Sequence, residues 1–232
     1  MKLLSSVQRI SIDEPRGSMA YGMDINAAAY CDSMFEDYGI CPPDWLPRAT
    51  KIRKAGYLCG RVLARSALTF YGYGAYQVLA DINRCPVWPI GISGSISHAE
   101  GYVVCIIGLS EKMSGVGIDI EAPFELETYQ SISEVFATAS ETEYLAIAFP
   151  KEDLGWIGAA VYSSKESIIK CLYPKYGQYF DFKEAVLEEI SPNSNHHRYQ
   201  LSPKITSANE NKSTIDVSVS AFRNFIVTIC SP

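Results

Sequence analysis

Histidine is scarce in this chain, and several common signatures are missing with it. There are three histidines among 232 residues: His98, and the adjacent pair His196-His197. A histidine-rich metal centre is therefore not expected. The seven cysteines are odd in number and scattered, with no C-x-x-C spacing. That pattern argues against both a disulfide framework and a zinc site, and favours reduced thiols in a cytoplasmic compartment. No run approaches ~18 consecutive apolar residues, so no membrane span is expected. Met1-Lys2-Leu3-Leu4 opens like a signal peptide but stops at Ser5-Ser6. A basic excess is also missing. The net charge of −6 argues against bulk attraction to nucleic acid or an anionic surface, so any polyanionic ligand needs a local basic patch. Internal repeats and low-complexity linkers are absent as well.

What is present is an ordinary globular composition, 47% hydrophobic with 15 tyrosines and 3 tryptophans. Its length suits one large domain or two small ones. Residues 1–47, interrupted by prolines and Gly17, read as irregular with one helix near 26–38. A helix follows from Arg48 to about Tyr71, closed by Gly72 and Gly74. It carries Arg48, Lys51, Arg53, Lys54, Arg61 and Arg65 and no acid. Lys54, Arg61 and Arg65 fall within roughly 40° of one another on it, with Arg53 on a different side. Residues 75–92 read as a loop containing Arg84. Strands are expected at Ile92–His98, Tyr102–Leu109 and 116–121, helices at 129–148 and 156–173, and strands again at 182–190, 197–204 and 214–230. Residues 191–197 and 206–213 read as loops, with the histidine pair decorating the first. Grouped strands and helices make the class α+β.

Three blocks carry chemistry. In Gly117-Ile118-Asp119-Ile120-Glu121, alternation puts Val116, Ile118 and Ile120 on one strand face and both acids on the other. A lone D-x-E is as readily a solvated face as a metal site. Here Gly115 and Gly117 permit close backbone approach, where an acidic pair is costly unless it is paired or binds metal. In Ser164-Lys165-Glu166-Ser167-Ile168-Ile169-Lys170, Glu166 and Lys170 lie one helical turn apart with Lys165 beside them; read alone, this is also an ordinary surface pair. In Gly94-Ser95-Ile96-Ser97-His98, the histidine ends a strand, either satisfied by backbone or available to a phosphate. Three acids with nearby lysines suit a hard divalent cation and anionic oxygens.

The order Gly60-Arg61-x-x-Ala64-Arg65, Pro86-x-Trp88-Pro89, Gly94–His98, Gly117–Glu121, Ser164–Lys170 resembles the 4'-phosphopantetheinyl transferases, and among them the enterobactin synthase component D type. The resemblance covers roughly residues 48–175. It implies a pseudo-dimer of two similar α+β halves, residues 1–112 with the coenzyme A-binding basic helix and 113–232 with the magnesium and catalytic motifs, the site lying at their junction. It implies transfer of phosphopantetheine from coenzyme A to a serine of an apo carrier protein, in siderophore (nonribosomal peptide) synthesis, by a monomer. Asp119, Glu121 and Glu166 match the family's magnesium ligands. Glu166, Lys165 and Lys170 match its catalytic helix, with Glu166 the first choice of base. Arg53, Arg61, Arg65, Arg84, Ser97, His98, Asp119, Lys165 and Lys170 are the expected coenzyme A contacts. Two departures are visible: Ala122-Pro123 follow the acidic motif, and Tyr162 stands where Phe or Trp usually leads the helical one. The rival readings are a magnesium-dependent phosphohydrolase, which should bring more histidines or a second metal cluster, and an inactive carrier-binding module.

Overall fold

The computed structural model describes residues 2–99, 101–191, 195–205 and 214–232. The chain divides into two compact units, Met1–Ser11 with Arg16–Met113, and Ile12–Pro15 with Ser114–Pro232. No helix among the described residues is long and apolar enough to cross a membrane.

The first unit contains β1 (Gln8–Arg9), β2 (Ser18–Asp24), α1 (Met34–Asp37), α2 (Lys51–Thr69), β3 (Ile92–Ala99) and β4 (Tyr102–Leu109). Its sheet is antiparallel in the order β1-β2-β4-β3. Strand β4 lies between two others and is buried from Tyr102 to Gly108, which explains its unbroken apolar run. Helix α2 begins where the Thr50 side chain accepts a hydrogen bond from the Arg53 amide at 3.3 Å, an N-cap that satisfies one of the first turn's orphan donors. Its Leu58, Leu63 and Leu68 are fully buried in the same cluster as Val103, Cys105 and Ile107 of β4.

Two expectations fail in this unit. Residues 18–24, read as irregular, form β2, paired along its length with β4 from Ser18↔Gly108 to Asp24↔Tyr102. The strand is made by this distant pairing, since SMAYGMD has no clear alternation of its own. The helix expected near 26–38 shrinks to a 3-10 turn at Ala27–Ala29 and the single turn of α1.

The second unit contains β5 (Gly117–Glu121), α3 (Leu126–Phe136), α4 (Ala139–Ala148), α5 (Leu154–Tyr176), β6 (Ala185–Ile190), β7 (His196–Leu201), β8 (Thr214–Phe222) and β9 (Phe225–Cys230). Its antiparallel sheet runs β5-β9-β8-β7-β6, with α5 packed on β5 and β9. Helix and strand touch at glycine. A Cβ at Gly117 would collide with the Ser167 carbonyl oxygen, and one at Gly115 would sit 2.6 Å from that of Cys171. The helix expected over 129–148 is split in two because Thr138 caps α4. Its hydroxyl accepts from the Glu141 amide at 3.3 Å, while Glu141 Oε2 accepts from the Thr138 amide at 2.7 Å, a reciprocal capping box.

The other oxygen of Glu141 ties three elements together. Oε1 accepts from the Leu187 amide of β6 at 2.7 Å and lies 2.7 Å from Lys165 Nζ of α5. Lys165 also donates to the Phe136 carbonyl at 2.8 Å, and its side chain is completely buried. Burial pushes the Lys165 pKa down, opposed by the carboxylate of Glu141.

The histidine pair is not in a loop. His196 and His197 belong to β7, and register places His197 opposite Val217. His197 is buried, 3.5 Å through Nδ1 from both the Ser164 and Tyr199 hydroxyls. Of the two loops expected in this half, 206–213 lies outside the described residues, as do 192–194 of the other.

Two outcomes follow from this packing. Breaking a buried ion pair from one side strands a charge, so Lys165→Met should lose about 3–5 kcal/mol in urea denaturation, and adding Glu141→Gln should recover part of that loss. Burial, and secondarily His196, depresses the His197 pKa to about 4. Its neutral form therefore contributes stability that is complete above the ordinary histidine value of about 6.5 and declines as pH falls from there toward 4. Melting midpoints at pH 7 and pH 5 should differ less for His197→Asn than for the unsubstituted chain; an unchanged difference would contradict the assignment.

Candidate functional site

Each unit carries a group of like-charged side chains, basic in the first and acidic in the second. In the first, the expected face of α2 is not what assembles. Lys54 turns to an exposed ion pair with Asp32 at 3.2 Å. Arg65 is half-buried and reaches toward Gly39. Arg61 is 7% exposed and lies with its guanidinium 4.4 Å from the centre of the Tyr57 ring. Its Nε has no hydrogen-bond partner among the described residues. Burial lowers the Arg61 pKa; Tyr57 opposes that, and the charge of Arg53 adds to it.

Arg53, on its different side of the helix, meets His98 instead, with Nη1 3.3 Å from Nε2. A guanidinium can only donate, so this contact requires an unprotonated Nε2 and a neutral ring carrying its proton on Nδ1. The ring has room because residue 56 is glycine; a Cβ there would fall within the imidazole. Arg84 stacks on Trp45 at 4.8 Å, and Trp45 meets Tyr57 edge-on at 5.8 Å. Arg61 and Arg84 thus flank the Tyr57–Trp45 rings, and the Arg53–His98 pair lies near enough for Arg53 to repel Arg61; together these are the basic cluster. Ser97 alternates to the opposite face of β3 from His98.

The second cluster forms where α5 lies on β5. Gly117, Asp119 and Glu121 face the helix, and Asp119 is 2% exposed. Lys170 Nζ sits 2.6 Å from Asp119 Oδ1 and 3.4 Å from the Ile118 carbonyl, while Ser163 Oγ donates to Oδ2 at 2.7 Å. Burial would lower the Lys170 pKa, but Asp119 and then Glu166 outweigh it and the net shift is upward. Glu121 is pushed up to about 8, first by burial, then by the charge of Asp119 and, more weakly, of Glu166, with Lys170 acting the other way. Glu166 is also hydrogen-bonded by Tyr162 one turn earlier on α5. Three carboxylates therefore share one neighbourhood with too little positive charge. Among the described residues, no group of three or more His, Cys, Asp or Glu side chains is drawn together closely enough to hold an ion. The chemistry of the donor set, all carboxylate oxygens, nevertheless fits a hard divalent cation, and the raised Glu121 pKa marks the charge deficit such an ion would relieve.

Lys165 requires a correction. Expected beside Glu166 and Lys170, it projects about 100° around the helix from Glu166 and is held by Glu141 and Phe136. It cannot reach a ligand's phosphate without breaking a fully buried ion pair. Two residues with evident roles were not legible beforehand. Glu141 signals only a helix start through its Thr138-x-x-Glu141 spacing, and nothing in the sequence marks Ser163.

Comparison with known proteins agrees with this division. Residues 43–108 match the 4'-phosphopantetheinyl transferase N-terminal domain, and residues 115–230 match the 4'-phosphopantetheinyl transferase superfamily. The chain is 32% identical over 120 residues to enterobactin synthase component D of Escherichia coli, covering 48% of this chain and 56% of that protein. It is 32% identical over 141 residues to 4'-phosphopantetheinyl transferase Svp of Streptomyces mobaraensis, covering 60% and 56%. Against 4'-phosphopantetheinyl transferase PptT of Mycobacterium tuberculosis it is 26% identical over 161 residues, covering 68% and 69%. The matched region thus spans about half the length of the first two relatives. With both domains matched in order, and the second match alone covering half of its length, the chain belongs to the 4'-phosphopantetheinyl transferase superfamily.

Proposed function

We propose that the protein transfers the 4'-phosphopantetheine arm of coenzyme A to a serine of an apo carrier protein, releasing adenosine 3',5'-bisphosphate. The observation that carries this reading is the charge-deficient carboxylate group of Asp119, Glu121 and Glu166 beside Lys170, in a chain that also sets a buried Arg61 near the exposed Arg53 and its partner His98. The first suits a cation and a pyrophosphate, and the second a phosphate monoester.

Asp119, Glu121 and Glu166 would hold magnesium, which supplies neutralisation of the charge that develops as the phosphoanhydride opens. Lys170, held upright by Asp119, supplies a donor to a non-bridging phosphoryl oxygen. Glu166 accepts the proton of the carrier serine as its oxygen attacks the pantetheine-side phosphorus. The bond from that phosphorus to the bridging oxygen breaks, and the oxygen leaves with the bisphosphate. Arg53, Arg61, Arg84 and His98 bind the nucleotide's phosphates. Lys165 acts only by fixing α5, and Arg65 stands outside the cluster. Likeness to enterobactin synthase component D supports a siderophore-type peptide synthetase carrier as the acceptor.

Product analysis tests this reading. Coenzyme A should be consumed, and adenosine 3',5'-bisphosphate released, only when an apo carrier is present. Cleavage without a carrier would make the protein a phosphohydrolase, and binding without turnover an inactive module. Glu166→Gln should slow transfer by ~10²–10⁴-fold while retaining coenzyme A binding. In calorimetry, His98→Ala should weaken coenzyme A more than dephospho-coenzyme A; equal losses would remove His98 from the 3'-phosphate.

A further inference from the structure

Asp119 is gripped on both oxygens, and the second grip continues into the sheet. Oδ1 faces Lys170; Oδ2 accepts from Ser163 at 2.7 Å. The Ser163 hydroxyl has a single proton, already directed at the carboxylate. Its oxygen lies 2.9 Å from Thr228 Oγ1, so in that contact Thr228 is the donor. Ser163 and Thr228 are completely buried, so water does not substitute for either. Thr228 is also the cross-strand partner of Asp119 in β9. The result is a directed chain, from Thr228 on β9 through Ser163 on α5 to Asp119 on β5.

We propose that Ser163 and Thr228 are positioning residues for the reaction: a buried hydroxyl relay that sets the rotation of the Asp119 carboxylate and so reserves Oδ1 for Lys170 and a divalent cation. The terminal torsion of an aspartate is broad and two-fold, so a strand carboxylate without such a hold samples many orientations. Partners behind a metal ligand fix its orientation, and their loss costs affinity for the ion. The inference rests on the reading of Asp119 as a magnesium ligand.

The test uses Mn2+ as the probe, with coenzyme A bound and free Mn2+ read by electron paramagnetic resonance, on the full chain. Ser163→Ala should weaken Mn2+ binding about 10–100-fold and raise the Mg2+ concentration needed for turnover by a similar factor. The KM for coenzyme A at saturating Mg2+ should stay within about two-fold, since only the cation's ligand is disturbed. Thr228→Val, which keeps shape and removes the hydroxyl, should show a smaller loss of the same kind, and Thr228→Ser should not. The Thr228 pair also carries the test if Ser163→Ala fails to fold. Mn2+ affinity unchanged in both Ser163→Ala and Thr228→Val would overturn the relay, as would losses in Thr228→Ser equal to those in Thr228→Val. A wild-type chain that binds no Mn2+ and turns over without divalent cation would overturn the magnesium reading and the relay together, a pattern distinct from failure in the variants alone.

Discussion

Helix α5 lies directly on strand β5, and most of the second unit's chemistry depends on that contact. Glycine at 117 lets the Ser167 carbonyl approach a position that any side chain would occupy. Because strand side chains alternate, the same close approach points Asp119 and Glu121 at the helix. There Ser163 and Lys170 take the two oxygens of Asp119. Burial this tight is unfavourable to several carboxylates with one lysine among them, and the cost is recorded in the upward displacement of Glu121 to about 8. Carboxylates perturbed by burial and by one another concentrate at ligand sites, and the proposed function assigns these acids such a role.

The two lysines of α5 show how one helix separates structure from chemistry. Lys165 and Lys170 are five residues apart, about 140° around the axis. Lys165 turns into the core and closes a pair with Glu141, whose remaining oxygen completes a capping box. That arrangement is satisfied on all sides and needs no further ligand. Lys170 turns to the acidic strand and remains 27% exposed, partnered yet accessible. In the first unit Arg61 presents the opposite imbalance, a buried cation stacked on Tyr57 and repelled by Arg53.

Much of this was legible in the chain. Alternation in 116–121 gave the faces of β5, the glycines predicted the close approach, and the acid-free stretch from Arg48 gave α2. Individual side chains were less so. Angles around α2 grouped Lys54, Arg61 and Arg65, yet Asp32 draws Lys54 away and Arg53 meets His98, because partners on other elements decide where a long side chain goes. Sequence adjacency put Lys165 with Glu166, although neighbours on a helix face different ways. Strand β2 and the burial of His197 depend on pairing with β4 and β8, and such register is set by residues far away in the chain.

Under the proposed function, the acidic site formed where α5 packs on β5 is completed by a divalent cation and coenzyme A together. The most direct measurement is the thermal unfolding midpoint with magnesium, with coenzyme A, and with both. Ligands that bind only the folded state, at 100 times their Kd, stabilise by about 2.7 kcal/mol, which for a chain of this size is roughly 5–10 °C. The expected rise with both ligands exceeds the sum of each alone. A midpoint indifferent to magnesium, whether or not coenzyme A is present, would contradict it.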